Sequence, residues 1–418
     1  MSENVLKKSN VELKESSKVL EASKKVILAL QHLIAMFGAT VLVPILTGFN
    51  PSVALFSAGV GTLLFHRVTK GKIPVFLGSS FAFIAGIQTV SKQFNGDLTY
   101  AQGGIVVAGL IYILVSFLIK KIGVDKVRKL LPSQVVGPMI MVIGLNLIPV
   151  ALGNAKANYL VAAITLGTAV GITFFGKGLI KQLSILIGVL VGYLVSLSMG
   201  LVNTTVMQSS AMFALPNFTL PKFDIGAIAI IAPVVLAVFM EHIGDITTNG
   251  EVVGQNFIEN PGLNRTLLGD GLATLFAGFV GGPANTTYGE NTSVLAITKN
   301  YDPSILRLAA VFAVVLGFVG KVGGFLKTIP VPVMGGISLM LYCMIAFVGV
   351  KTIKSSKVEF NIKNIIIMLT ILVLGLLPTY TGINIGIPVT ATVSIQGLSF
   401  AAIVGVLMNA LMNALSKK

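Results

Sequence analysis

Four carboxylates interrupt long apolar runs in this chain: Glu241, Asp245, Asp270 and Glu290, out of 15 acidic residues in all. A charge at the centre of a bilayer costs about 2.5–3.5 kcal/mol on insertion scales, so such residues face a cavity or a partner, and function is their default reading. Glu241 and Asp245 are four residues apart, which puts them on one face of a helix. His242 points about 100° away from Glu241 and reads as packing. Asp270 follows the basic Arg265 by one helical turn and a half, and is expected to pair locally or to serve a helix end. Glu290 lies in the stretch NTTYGENTS, residues 285–293, which is too polar for a lipid-facing helix. Irregular backbone at membrane depth is tolerated where it lines a cavity. Its amides are then free to donate hydrogen bonds, and a helix restarting after the break aims its positive end at the same place.

A second interruption, GSSFAF at residues 78–83, is expected to supply amides from Ser80 and Phe81 opposite those of Gly289. Carboxylates accept hydrogen bonds and amides donate them. A planar ring with adjacent N–H and C=O groups fits that alternation, and nucleobases are such rings. Phe81, Tyr288 and Tyr342 are placed to cover the ring faces. The carboxylates disfavour an anionic substrate. A carboxylate held out of water also exchanges a proton readily, so Glu241, Asp245 and Glu290 are candidates for proton coupling without a metal ion. No metal-ligand cluster, nucleophile–base pair or cofactor motif is present, which argues against an enzyme. His32 reads as packing and His66 as a loop end.

These residues need a membrane scaffold, and the composition supplies one. The chain is 54% hydrophobic and 11% charged, with a mean hydropathy of +0.91; soluble domains carry about 25% charged residues. The 45 glycines suit close helix packing in lipid. A lone cysteine, Cys343, excludes an internal disulfide. The net charge of +15 is spread through short loops, the pattern of membrane topology and not of a nucleic-acid-binding domain. Residues 1–24 are polar and lysine-rich and read as a cytoplasmic tail.

Apolar runs lie near 26–47, 51–66, 74–90, 101–119, 132–152, 158–175, 179–200, 226–245, 266–281, 284–297, 304–320, 331–350, 362–379 and 393–414. The chain is therefore expected to be an all-α polytopic membrane protein with 14 transmembrane segments, the third and tenth short and broken. With the N-terminus inside, this count leaves only Lys92, Lys156, Lys222, Lys321 and Lys327 of the 30 basic residues outside. Such asymmetry supports both termini in the cytoplasm and a multi-pass protein of the cytoplasmic membrane. Weak internal matches recur in the same order at similar spacing. Gln31–His32–Leu33 meets Glu241–His242–Ile243, the segment from Pro74 meets that from Pro283, and LPSQVVGPM (131–139) meets IPVPVMGGI (329–337). They imply a 7+7 repeat, inverted because seven is odd, with a substrate site near the midplane at the two broken segments.

The motifs LQHLIAMFGATVLVP (30–44), PVFLGSSFAFI (74–84), MEHIGD (240–245) and GGPANTTYGENTSVLAITK (281–299) resemble those of the nucleobase–ascorbate transporter family (nucleobase:cation symporter-2), in its uracil-permease branch. The last carries the family signature as Glu290, Asn291, Thr298 and Lys299. The resemblance implies a core domain from residues 25–120 and 225–320 and a gate domain from residues 130–203 and 329–416. It implies proton-coupled uptake of uracil, no cofactor, and a homodimer in the lipid membrane. Glu241 and Glu290 would bond the base, the amides of Phe81 and Gly289 would bond its carbonyls, and Ala39, Tyr288 and Tyr342 would line the pocket. Position 245 is Asp where some uracil permeases carry His, and position 293 is Ser where Gly is usual. The rival expectations are a xanthine or urate permease of the same family and, further off, an anion exchanger of the same fold.

Overall fold

The computed structural model describes residues 2–123, 132–388 and 394–415. The basic residues Lys126, Arg128, Lys129, Lys417 and Lys418, used above for orientation, lie outside the described residues, as does Leu131 at the start of one repeat match. The protein is almost wholly helical. The first half contains α1 (Ser2–Thr47), α2 (Pro51–Val68), β1 (Leu77–Ser79), α3 (Ile84–Gln93), α4 (Thr99–Ile122), α5 (Ser133–Ala155), α6 (Tyr159–Phe175), α7 (Gly178–Gln182) and α8 (Ser184–Ser198). After a short α9 (Thr205–Ser209) come α10 (Ile225–Ile231), α11 (Val235–Val253), α12 (Leu263–Val280), β2 (Asn285–Thr287), α13 (Gly289–Thr298), α14 (Pro303–Gly317), α15 (Gly320–Lys327), α16 (Val331–Ser355), α17 (Ile362–Thr381), the hairpin strands β3 (Gly386–Pro388) and β4 (Ser394–Gln396), and α18 (Gly397–Leu415).

Seven of these stretches are each long and apolar enough to cross a membrane: 21–47 in α1, α4, α5, the continuous run 225–253, α16, α17 and α18. The pair α14 and α15 forms an eighth if counted as one span bent by 77°. Pro233 divides the run 225–253 into α10 and α11 through one 3-10 turn, because proline lacks the N–H that would continue the helix.

Two sets of helices pack among themselves. In one, α2 lies against α12 and α14, α4 against α12 and α10, and α1 against α14. In the other, α5 lies against α16 and α17, α6 against α8 and α16, and α17 against α18. Glycines allow the closest crossings. A Cβ on Gly109 of α4 would meet the α12 backbone at 2.6 Å, and one on Gly349 of α16 would meet the carbonyl of Gly137 on α5 at 2.5 Å. Small residues at such crossings bring backbones together where lipid offers no hydrophobic drive for association.

The third and tenth apolar runs are a strand followed by a ten-residue helix, β1–α3 and β2–α13. Pro74 and Pro283 and the glycines beside them disfavour helix there. The two strands pair antiparallel, Leu77 with Thr287, Gly78 with Thr286 and Ser79 with Asn285. A two-stranded ladder leaves each outer edge unpaired, and neighbouring helices fill both. Thr62 of α2 exchanges hydrogen bonds with the Leu77 N–H (2.9 Å) and C=O (3.3 Å). Thr274 of α12 donates to the Asn285 carbonyl (2.8 Å). Every side chain of the strand pair is buried, so extended backbone deep in the protein survives through these bonds.

Candidate functional site

The paired strands act as a crossbar from which two short helices begin. The 3-10 turn Phe81–Phe83 leads into α3, and neither of these two N-termini carries a side-chain cap. The same holds for α13, whose cap position is Tyr288 and whose first turn contains Glu290. An uncapped helix start leaves backbone N–H groups without intrahelical partners, here at Phe81 on one side and at Gly289 and Glu290 on the other.

Helix α11 passes beside this crossbar. Its Asp245 accepts a hydrogen bond from Thr287 Oγ1 of β2 (2.9 Å). A Cβ built on Gly289 would lie 3.8 Å from the Asp245 carboxylate. Glu241 lies one turn before Asp245 on α11, and Glu290 directly follows Gly289 on α13, so the structure brings these three carboxylates into one locality. Along α11, Glu241, Gly244, Thr248 and Glu251 are exposed, whereas Val238, His242 and Asn249 are buried. Along α13, Gly289, Ser293 and Ala296 are exposed while Asn291, Thr292 and Leu295 are buried. The two helices pack on each other, and each carries an exposed face that begins beside the crossbar, at Glu241 and at Gly289.

Phe81 ties the remaining expected residues together. It packs on the cluster containing Ala39 and Tyr288 and also on the cluster containing Tyr342 and Ile84. Ala39 and Tyr342 are fully buried there. Tyr288 is held under β1: its hydroxyl donates to the Ser79 carbonyl (2.9 Å) and its amide to the Phe76 carbonyl (3.0 Å). Its ring lies where a Cβ on Gly78 would sit, so it clamps the crossbar.

Several expectations change. The Ser80 amide is not free, because it extends the ladder by donating to the Ala284 carbonyl (2.8 Å). Ser80 offers instead a buried hydroxyl that has no protein partner. Asp270 neither pairs with Arg265 nor ends a helix. It lies two turns inside α12, fully buried, with its carboxylate 3.3 Å from His242 Nδ1. The other ring nitrogen of His242 meets Thr266 Oγ1 at 2.9 Å, so this histidine does pack structurally, as a link between α11 and α12. His32 is likewise structural, receiving Asn291 Nδ2 on its carbonyl (3.0 Å). His66 is buried, not at an open loop end, because Nε2 meets the Val75 carbonyl at 2.9 Å. Sequence reasoning missed Thr287, which holds Asp245, and Asn249, which bridges the Pro74 carbonyl and Thr292 Oγ1 at 3.0 Å each. Thr287 lies within the polar stretch 285–293, and Asn249 lies beyond the apolar run that ends at 245, so neither stood out from its neighbours in the sequence. Among the described residues, no group of His, Cys, Asp and Glu is arranged to hold a metal.

A permease family model matches residues 23–383. The chain belongs to this permease family. Its members are transporters, not enzymes, and with several apolar spans the protein is a multi-pass membrane protein. It is 41% identical to the uracil permease of Bacillus caldolyticus over 91% of this chain and 90% of that one. It is 40% identical to the uracil permease of Escherichia coli (strain K12), covering 91% and 89% of the two chains. A probable uracil permease of Pasteurella multocida is 41% identical, covering 93% of each chain. Among solved structures, the transmembrane domain of a cyanobacterial bicarbonate transporter superposes with a TM-score of 0.59 at 15% identity, covering 92% of this permease and 96% of that chain. A murine solute carrier 26 family anion transporter, in its inward-facing state, superposes with a TM-score of 0.70 at 10% identity, covering 94% and 68%. These likenesses establish a shared transporter fold.

Proposed function

We propose that this permease is a proton-coupled uracil symporter that imports the base across the cytoplasmic membrane by alternating access. The observation that carries this reading is the meeting of three carboxylates with two uncapped helix starts beside the paired strands. Glu241 and Glu290 accept from the ring N–H groups, while the amides of Phe81 and Gly289 donate to the ring carbonyls. Phe81 covers one face of the ring, and Ala39, Ser80 and Tyr342 close the pocket behind it. Tyr288 holds the crossbar at its floor. Glu241 exchanges the coupling proton, with Asp245 and Glu290 as neighbours that set its charge balance. Uracil permeases at 40–41% identity over most of the chain support the choice of base.

The architecture that fits this function is fourteen crossings in a 7+7 inverted repeat, with β1–α3 and β2–α13 as equivalent broken spans. The set containing α1–α4 and α10–α14 is the core that holds substrate. The set containing α5–α8 and α16–α18 is the gate against which it moves, and a homodimer is the working unit. With both termini in the cytoplasm, the exposed faces of α11 and α13 run from the site toward the cytoplasmic side. The fold-level likeness to anion transporters favours no anionic substrate here, since three carboxylates line the locality. Uptake of labelled uracil into proteoliposomes under an inwardly directed proton gradient tests the assignment. Competition by unlabelled uracil but not by xanthine or urate is the expected result; the reverse order of competition would make it a purine permease.

A further inference from the structure

Asn249 stands on the buried side of α11, one turn beyond Asp245. Its amide nitrogen donates two hydrogen bonds of 3.0 Å each, one to the Pro74 carbonyl at the root of β1 and one to Thr292 Oγ1 in α13. A proline carbonyl only accepts, so the nitrogen must be the atom that faces it. The position calls for two donors on one short side chain. Serine offers a single donor, aspartate offers none when ionised, and glutamine is a methylene too long. The Oδ1 atom of Asn249 is buried without a partner among the described residues. An unpaired buried acceptor is costly, so the side chain is kept for its two donors. One amide group thus links the helix that carries Glu241 and Asp245, the root of the crossbar, and the helix that carries Glu290.

We propose that Asn249 is a positioning residue for substrate: its amide sets the rotation of α13 and, through it, the direction in which Glu290 faces the base. The proposal rests on the reading of Glu290 as a partner of uracil. Two side chains hold the start of α13 from its buried side. Asn291 donates to the His32 carbonyl of α1 (3.0 Å), and Thr292 accepts from Asn249 of α11 (3.0 Å). Both are buried, whereas Gly289 and Ser293 are exposed on the other side. Successive residues of a helix point about 100° apart, so two adjacent bonds to two different helices fix how α13 is turned about its axis. Glu290 directly precedes Asn291 and turns with it. Side chains stand about 5–6 Å from a helix axis, so a turn of about 20° moves a carboxylate by about 2 Å. Binding groups need to be held within about 0.5 Å of their working geometry.

The test is uracil binding by calorimetry to the detergent-purified full-length protein, with melting midpoints measured alongside. Asn249→Ala should weaken binding by about two- to twelvefold, the factor that corresponds to one neutral hydrogen bond. Thr292→Val keeps the side-chain shape and the Asn249–Pro74 bond while removing the acceptor on α13. It should cost a similar factor, and it carries the test if Asn249→Ala does not fold. The double variant should bind like either single one, because both act through the same bond. In a Glu290→Gln background, whose own loss of affinity tests the uracil reading, either substitution should add less than about twofold. In a Glu241→Gln background each should keep its full factor. Lower melting midpoints with parental affinity in both single variants would overturn the proposal and leave the uracil reading intact. So would an equal loss of affinity in the parent and Glu290→Gln backgrounds, which would mark a packing role. Parental binding by Glu290→Gln itself would refute the uracil reading and this proposal with it.

Discussion

Gly78 is the point at which the crossbar has least room. A Cβ there would lie 2.3 Å and 2.4 Å from Cζ and Cε2 of Tyr288 and 2.6 Å from Thr40 Oγ1. Non-bonded carbons rest at about 3.5–4.0 Å. The ring has no easy retreat, since Tyr288 is 3% exposed and bonded through its hydroxyl and amide to Ser79 and Phe76. Overpacking of this kind costs about 1–3 kcal/mol, and loss of the Tyr288–Ser79 bond adds about 0.5–1.5 kcal/mol. Gly78→Ala should therefore destabilise the protein by about 1.5–4.5 kcal/mol and displace the helix starts that flank the site. The readouts are the thermal melting midpoint of detergent-purified protein and uracil binding by calorimetry. Both should fall. Gly289→Ala is the contrast, because its Cβ meets nothing nearer than Asp245 at 3.8 Å. It should melt like the parent and lose affinity alone. Tyr288→Leu should rescue part of the Gly78→Ala loss, a non-additivity expected only of residues in contact. A Gly78→Ala protein that melts and binds like the parent would refute the clamp.

Thr287→Val removes the hydrogen bond to Asp245, worth about 0.5–1.5 kcal/mol; uptake should weaken, and the effect should vanish in an Asp245→Ala background if the bond is its cause. Asp270→Ala leaves His242 without its carboxylate inside the protein and should cost about 1.5–3 kcal/mol, read as a lower melting midpoint with the apparent uracil affinity of the folded fraction retained. At the loop before α4, Thr99 and the Lys222 ammonium at 2.9 Å hold the Asp97 carboxyl down to about 2. A carboxyl lowered in the folded state stabilises above its unfolded value near 3.9 and loses that contribution as pH falls through its folded one. The melting midpoints of parent and Asp97→Asn should thus differ at pH 6 and converge toward pH 2, and a gap that persists in acid would exclude the linkage.

The four intramembrane acids were legible because a charge within an apolar run has few explanations, and the two broken segments because proline, glycine and clustered polar residues oppose a lipid-facing helix. What those acids touch was not legible. The partner of Asp270 is His242 on the neighbouring helix, a contact fixed by how α11 and α12 pack and not by the local spacing to Arg265. The Ser80 amide was expected in the site because nothing in GSSFAF reveals that a strand lies opposite; its bond to Ala284 exists only once β1 and β2 meet across some two hundred residues. Tyr288 looked like a ring for stacking on substrate, and the absence of a Cβ on Gly78, which lets that ring lie beneath β1, has meaning only in three dimensions. Thr62 and Thr274 read as ordinary polar residues in apolar helices, yet they complete the edges of the strand pair.

The central claim is that Glu241 and Glu290 together hold uracil and that Glu241 passes the proton. Its most direct test is paired measurement of uracil binding and of proton-driven uptake in proteoliposomes for Glu241→Gln and Glu290→Gln. Each substitution keeps the size and removes the charge, and a charge-assisted bond of about 1.5–3 kcal/mol corresponds to roughly ten- to a hundredfold in affinity. Glu290→Gln should lose binding by that factor. Glu241→Gln should lose accumulation driven by the proton gradient while still exchanging internal for external uracil. Full proton-coupled accumulation by either variant, at parental affinity, would contradict the account.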